Sequence, residues 1–417
     1  RRKSSESKNS LVPDSVSNTV EILDDISEVN LKRRLGLVSG VCFIVGTIIG
    51  SGIFISPKSV LQNTESVGLC MIIWVLCGVL AMLTSLAYAE LGTMFPKCGA
   101  DYIYFLETFG GIPAFLFVWM NSVIQAPGAN VIKAMTFAEY IAKLMSDDCG
   151  TPEVIKKLIA ASVLLAVGIT NCISVRLAAR FQVFFTAAKV LALVIVSIGG
   201  IVLICGGTFG ALVTGFEGST TSSSDVVFAF YGGMFAYDGW KSLNFVVEEL
   251  ENPYVILFAA AREEHLPAII SYIHIRTFIP TPSVIITTII SLLMLIPGNI
   301  GSLINFLGFT NWIIYSGVMV CLLVLRYKRK DMCRPVKIPI FIPIIVLLVA
   351  LYLVVVPLVM DPKIEFLYAG LFVAASLTLY IPLVHFKLRI PGMNYVTALL
   401  QLFLEVAPTS TDTIDVD

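Results

Sequence analysis

The chain has 417 residues, 57% of them hydrophobic and 14% charged, with a formal net charge of −1. A soluble domain carries about 25% charged residues, so this composition excludes an ordinary soluble protein. The near-neutral balance offers nucleic acid no basic surface. A bilayer crossing needs about 20 apolar residues. Runs near 37–57, 68–91, 112–144, 156–174, 182–206, 225–248, 282–297, 303–326, 338–359 and 365–386 define ten spans, whereas 254–261 is too short to cross alone. The expectation is an all-α polytopic membrane protein: a cytosolic tail 1–34, a transmembrane domain 35–387 and a cytosolic tail 388–417 whose segment 391–406 is either unstructured or an amphipathic helix on the membrane.

Lys32, Arg33 and Arg34 precede the first span and place the N-terminus inside. Alternation then puts Lys97, Arg176, Arg180, Arg262, Arg276, the run Arg326–Lys330, Lys387 and Arg389 on the inner side, and both termini in the cytosol. The first span contains Gly46-Thr47-Ile48-Ile49-Gly50-Ser51-Gly52. Each glycine disfavours helix by about 1 kcal/mol relative to alanine, and broken backbone at membrane depth is tolerated only where it lines a cavity or is buried in protein. Freed amides and carbonyls at such a break can hold the two ends of a zwitterion. The sequence reading is therefore a transporter substrate site.

Further along, Cys149 lies in the outer loop after span three, in Ser146-Asp147-Asp148-Cys149-Gly150. A lone thiol on the oxidising side is either an intermolecular disulfide or an unpaired loop cysteine. Cys42, Cys70, Cys77, Cys172, Cys205 and Cys321 read as small core residues of the spans. No Cys/His spacing fits zinc, and no cofactor is expected.

Span six carries Tyr231-Gly232-Gly233-Met234-Phe235-Ala236-Tyr237-Asp238-Gly239-Trp240, a second glycine-interrupted run with an acid inside it. Paired interrupted spans point to a transporter binding site; the competing reading is close glycine packing between helices. Asp238, Lys241, Lys189, Lys133 and Glu139 are charges at or near membrane depth, where partners or a cavity are needed. Lys189 either sets its ammonium against freed carbonyls of span one, in place of sodium, or snorkels to the interface. Glu90 and the Glu248/Glu249/Glu251 cluster read as gate ion pairs or solvated caps.

The segment GTIIGSGIFISPKSVLQNTESVG (46–68), with YAELGT (88–93), FAYDGW (235–240), LNFVVEELENPY (243–254), REEHLP (262–267) and RPVKIP (334–339), resembles the light subunits of the heteromeric amino acid transporters, in the amino acid–polyamine–organocation superfamily. Within it the residues are most similar to the b(0,+)-type exchangers of cystine, cationic and neutral amino acids, with the cystine/glutamate exchangers next; Asp238 favours the former. The resemblance implies twelve helices in a five-plus-five inverted repeat with helices one and six broken, and sodium-independent exchange at the plasma membrane. It implies that amides near Ser51 and Gly52 take the substrate carboxylate, and that the Ile48 carbonyl and the backbone near Phe235 take the amino group. Phe235 would gate the site, Lys189 would occupy a sodium position, and Cys149 would bond a single-pass type II glycoprotein heavy subunit.

Two departures stand out. The family carries helices seven and eight between its ENPY-like and REGHLP-like motifs; here only Val255–Ala261 separate Tyr254 from Arg262, so helix seven and most of helix eight are absent. Both ends of that gap face the cytosol, so the later orientation survives. Lys241 stands three residues after Asp238, where close relatives tend to be uncharged, and an i,i+3 pair would mute the acid. Two functions compete: an amino acid exchanger subunit carrying the substrate site, or a non-transporting variant that occupies and regulates the heavy subunit. A membrane enzyme is disfavoured, since no HExxH, GxSxG or paired catalytic constellation lies at membrane depth.

Overall fold

A computed structural model describes residues 45–95, 99–145, 151–173, 175–207, 209–240, 272–274, 281–381, 399 and 401–407. The chain divides between Gly36 and Leu37, and every described residue belongs to the second unit. Cys42, Cys149, Lys241, the Glu248/Glu249/Glu251 cluster, the shortened segment 254–262 and most of both tails lie outside the described residues.

The first span is helical at 45–48, bends at 49–51 and resumes as α1 (Gly52–Thr64). Then come α2 (Val67–Met94), α3 (Asp101–Phe109), α4 (Gly111–Met120), a π turn (Asn121–Gln125), α5 (Ala126–Met145), α6 (Glu153–Ile173), α7 (Val175–Cys205), a short 3₁₀ turn (Gly210–Thr214) and α8 (Ser223–Ala236). After the undescribed stretch follow α9 (Thr281–Leu295), α10 (Ile300–Lys328), α11 (Phe341–Met360) and α12 (Ile364–Tyr380). Val67–Met94, Gly111–Met145, Val183–Cys205, Ile300–Lys328 and Phe341–Met360 are long and apolar enough to cross a membrane, and α9 and α12 are shorter apolar helices. The last third of the sixth expected span, 241–248, is outside the described residues.

Helix ends follow the sequence where it supplies caps. The Ser66 hydroxyl accepts from the Leu69 amide at 3.3 Å and starts α2; the Asn299 side chain accepts from the Ser302 amide at 2.9 Å and starts α10. The π turn sits just ahead of Pro127. Proline has no N–H and would crowd the carbonyl of Val123 in a regular helix, and the wider turn relieves this while Gly111–Met145 stays one span.

The core has two parts. One gathers α2, α3, α4, α8, α10 and α11; it includes Tyr88, Trp240, Trp312 and Tyr315, whose rings meet edge-on or tilted at 4.9 to 6.3 Å. The other gathers α5, α6, α9 and the start of α10. Glu139 of α5 pairs with Lys156 of α6 at 2.7 Å, a partner for one of the charges flagged in the sequence.

Two findings depart from the sequence reading. A two-residue antiparallel bridge joins Ile273–His274 to Val406–Ala407, and Val406 is buried. Within the segment read as an unstructured tail or an amphipathic helix, the described residues 399 and 401–404 are helical, and 406 enters that bridge. The other concerns α7. No described residue from Val183 to Cys205 is buried, and α6 is its main described neighbour. Cys205 is therefore exposed, not a core residue as expected. From Val183 to Cys205 the helix is largely apolar, and among the described elements α6 receives most of its contacts.

Candidate functional site

Two breaks in the chain come together. At the first, the Gly50 amide donates back to the Ile48 carbonyl at 2.7 Å, a turn too tight for helix, and Ser51 starts α1 without a side-chain cap. The Ser51 carbonyl accepts from Phe54 and Ile55. The first amides of α1 thus have no intrahelical acceptor and form an end where an anion is favoured. At the second, α8 stops after Ala236, and 237–240 form a turn in which Gly239 has φ +109°. That backbone is strained for any residue with a Cβ.

The breaks touch backbone to backbone. A Cβ on Gly52 would fall 2.6 Å from the Phe235 carbonyl oxygen and 2.8 Å from the Ala236 Cα. A Cβ on Gly239 would fall 2.9 Å from the Thr47 carbonyl carbon. The Thr47 hydroxyl donates to the Gly239 carbonyl at 3.4 Å. Ile48, Ser51, Gly52, Phe235 and Asp238 therefore share one place in the fold.

The glycine pair in span six behaves otherwise than the sequence reading expected. Gly232 and Gly233 lie inside continuous α8. The former packs on Ser59 and Val60 of α1, the latter on Cys77 of α2, whose sulfur would meet an added Cβ at 2.7 Å. Those two glycines are packing residues, and α8 ends three residues after them, at Ala236.

A cavity of about 40 Å³ lies beside the breaks, lined among others by Phe235, Asp238, Trp240, Gln125, Asn311 and Tyr315. A water needs about 10 to 15 Å³ of such space, so the cavity has room for a few waters. Sequence reading missed Gln125 and Asn311. Gln125 ends the π turn and donates from Nε2 to the Leu307 carbonyl at 3.2 Å and the Thr310 hydroxyl at 2.5 Å. The signal was present in Gln125-Ala126-Pro127-Gly128, a polar residue beside a helix-breaking pair within an apolar run. Asn311 is likewise an amide inside the apolar run of α10.

Three of the charges flagged in the sequence lie within electrostatic reach of one another. The Asp238 carboxylate acts electrostatically on Lys133 of α5, and Lys133 in turn acts on Lys189 of α7. Lys189 is half-buried, and among the described residues its ammonium donates no hydrogen bond. Thr186, one turn earlier, is 3.5 Å from where a Gly46 Cβ would stand, so this face of α7 does reach the first span.

Glu90 of α2 proves to be an ion pair, not a solvated cap. Its carboxylate is fully buried, accepts from Arg326 through Nε at 2.9 Å and through Nη2, and accepts from the Ile338 amide at 3.0 Å. Arg334 Nε stands 3.8 Å away. This cluster ties α2 to α10 and to the loop before α11.

Comparison with known proteins fits this geometry. The amino acid permease family matches residues 35–256 and 253–381, in two pieces that meet at the shortened segment. The b(0,+)-type amino acid transporter 1 of Mus musculus is 37% identical over 468 positions, covering 93% of this chain and 96% of the mouse protein. With 417 residues here, roughly 80 of those positions face a gap in this chain. The cystine/glutamate transporter of Homo sapiens is 36% identical, covering 80% of this chain and 82% of the human protein. The large neutral amino acids transporter small subunit 2 of Rattus norvegicus is 35% identical, covering 80% and 78% respectively. Its relatives are amino acid transporters, and the chain belongs to the amino acid permease family.

Proposed function

We propose that this chain is the light subunit of a sodium-independent amino acid exchanger of the plasma membrane and that it carries the substrate site. The observation that supports this most is the backbone contact of the two breaks, Gly52 on Phe235–Ala236 and Gly239 on Thr47. In this reading the uncapped start of α1, near Ser51 and Gly52, binds the carboxylate of an L-amino acid. The remaining lone pair of the Ile48 carbonyl and the backbone near Phe235 bind its ammonium. The Phe235 ring closes the site, and the Lys189 ammonium supplies a fixed cation where a coupled transporter would bind sodium. The broken helices one and six then belong to an inverted-repeat fold with both termini in the cytosol. Uptake of labelled leucine, arginine and cystine into cells that also express a heavy subunit tests this. Uptake should persist when choline replaces sodium, and efflux should require external amino acid.

The bare surface of α7 favours a second reading. If helix seven and most of helix eight are missing, the gap of roughly 80 alignment positions has its counterpart in a span with no buried residue among those described from Val183 to Cys205. Such a chain occupies the heavy subunit and regulates it without transport. Surface delivery of the pair with no uptake of any amino acid identifies this second role.

Either role needs the partner. Cys149 is proposed to bond a type II glycoprotein. A non-reducing gel should show a heterodimer, and Cys149→Ser should reduce it to the light chain; an unchanged pattern overturns the bond.

Selectivity should follow Asp238, with cystine and neutral amino acids favoured and cationic ones weaker. Lys133 lies within electrostatic reach of this acid, and Lys241 is proposed to oppose it. A unit pair at 4 Å interacts by about 4 kcal/mol at an effective dielectric of 20, and a quarter of that is about fivefold in affinity. Asp238→Ala should lower arginine binding relative to leucine by about that factor, and Lys241→Asn should raise it. The readout is ligand-induced thermal stabilisation, which needs no transport. An unchanged arginine-to-leucine ratio in both variants removes Asp238 from the site.

A further inference from the structure

The loop between α10 and α11 borders an open pocket of about 730 Å³ lined by Arg326, Lys330, Arg334, Lys337 and Ile338–Ile340. That is within the size range of small-ligand sites, about 300 to 1,000 Å³. Residues 326–340 carry six basic side chains against one acid, Asp331. Two of the cations form a fixed wall. Arg326 is locked to Glu90 and donates to the Ile338 carbonyl at 2.7 Å. Arg334 has a side chain 9% exposed and donates to the carbonyls of Leu325, Arg329 and Lys330 at 2.7 to 3.2 Å. Its Nε, buried, has no hydrogen-bond partner. Two guanidinium groups face the single carboxylate of Glu90, so the wall keeps an excess positive charge. Lys330, whose ammonium lies 5.6 Å from the centre of the Tyr327 ring, and Lys337 are exposed and supply two further cations.

The cavity is also built where a span begins. α11 starts at Phe341 with no side-chain cap on its first amides. Val336, Ile340, Phe341, Ile344 and Ile345 are exposed beside it, an apolar rim that runs from the cavity onto an apolar span. A free anion would have no use for that rim; a lipid's acyl chains would.

We propose that this cavity binds the phosphorylated head group of an anionic phospholipid of the inner leaflet, with the acyl chains lying along the start of α11. Basic pockets at the cytoplasmic ends of spans recognise such head groups. The leaflet assignment rests on the orientation proposed above; binding itself does not.

The full-length chain in detergent is titrated with dioctanoyl phosphatidylinositol 4,5-bisphosphate, dioctanoyl phosphatidylcholine and inositol 1,4,5-trisphosphate, and bound species are counted by native mass spectrometry. The bisphosphate lipid should saturate one site and bind at least about tenfold more tightly than either other probe. Lys330→Gln with Lys337→Gln should weaken it by about thirtyfold, the loss expected for two lysines facing an anionic head group. The paired Lys→Arg variant should retain it. Neither variant touches the Glu90 cluster, so melting temperature should hold. Equal binding of phosphatidylcholine, or full binding by the double Gln variant, overturns the site. Equal binding of the soluble trisphosphate overturns the lipid as its source. Cys333, exposed in the same loop, reports the leaflet separately. An impermeant maleimide should label it only after permeabilisation, with Cys333→Ser as control; label on intact cells overturns the inner-leaflet assignment and leaves the binding result to stand or fall alone.

Discussion

Gly52→Val should separate α1 from α8 and abolish amino acid binding. The added Cβ would lie 2.6 Å from the Phe235 carbonyl oxygen and 2.8 Å from the Ala236 Cα. Both are backbone atoms, so no side-chain rotation relieves the contact. Valine's second γ carbon worsens it and stiffens the turn. Overpacking a core costs about 1 to 3 kcal/mol when side chains can adjust; a backbone obstruction belongs at the upper end or beyond. Gly50→Ala is the control. Its Cβ would find nothing closer than 3.7 Å, all within residues 47–52, so it should fold normally. The check is melting temperature together with ligand-induced stabilisation by leucine. A Gly52→Val protein that keeps wild-type leucine affinity would remove the contact between the breaks from any role in binding.

Glu90→Ala should be the most destabilising change at the other end of the bundle. The carboxylate is fully buried and receives Arg326, the Ile338 amide and, at 3.8 Å, Arg334. Removing it leaves two largely buried guanidinium groups without a counter-charge. Breaking a buried pair from one side costs about 3 to 5 kcal/mol, against about 0 to 1 for a surface pair such as Arg329–Glu107, where the arginine side chain is 46% exposed. Glu107→Ala should therefore move the melting temperature little while Glu90→Ala lowers it sharply. Replacing Glu90 and Arg326 together by methionine should recover part of the loss, since the penalty lies mainly in the orphaned charge. Equal melting temperatures for Glu90→Ala and the unmodified chain would show that the cluster does not hold α2 to α10.

The first break was legible because three glycines crowd a span, and the structure bends at 49–51 within them. The second was legible only as a region. Glycine permits both a broken helix and a close helix crossing, and Gly232 and Gly233 serve the crossing while Gly239 serves the turn. Sequence alone does not separate those uses. Gln125 joins the site through a π turn that no period of 3.6 announces. The Asp238–Lys133 and Glu90–Arg326 relations span large sequence separations, 236 positions for the latter, and their pairing depends on which helix faces meet. The bare surface of α7 was illegible for the opposite reason: its apolar pattern is the same whether it faces neighbours or nothing.

The crossing of α1 and α8 also decides which substitutions the two segments tolerate together. Gly52 meets Phe235–Ala236 after the bend at 49–51, and Thr47 meets Gly239 before it. At both contacts an added Cβ would strike backbone atoms, so no side-chain change on the facing segment can make room for it. A repacked partner, the usual rescue for an enlarged core residue, is therefore closed to either glycine.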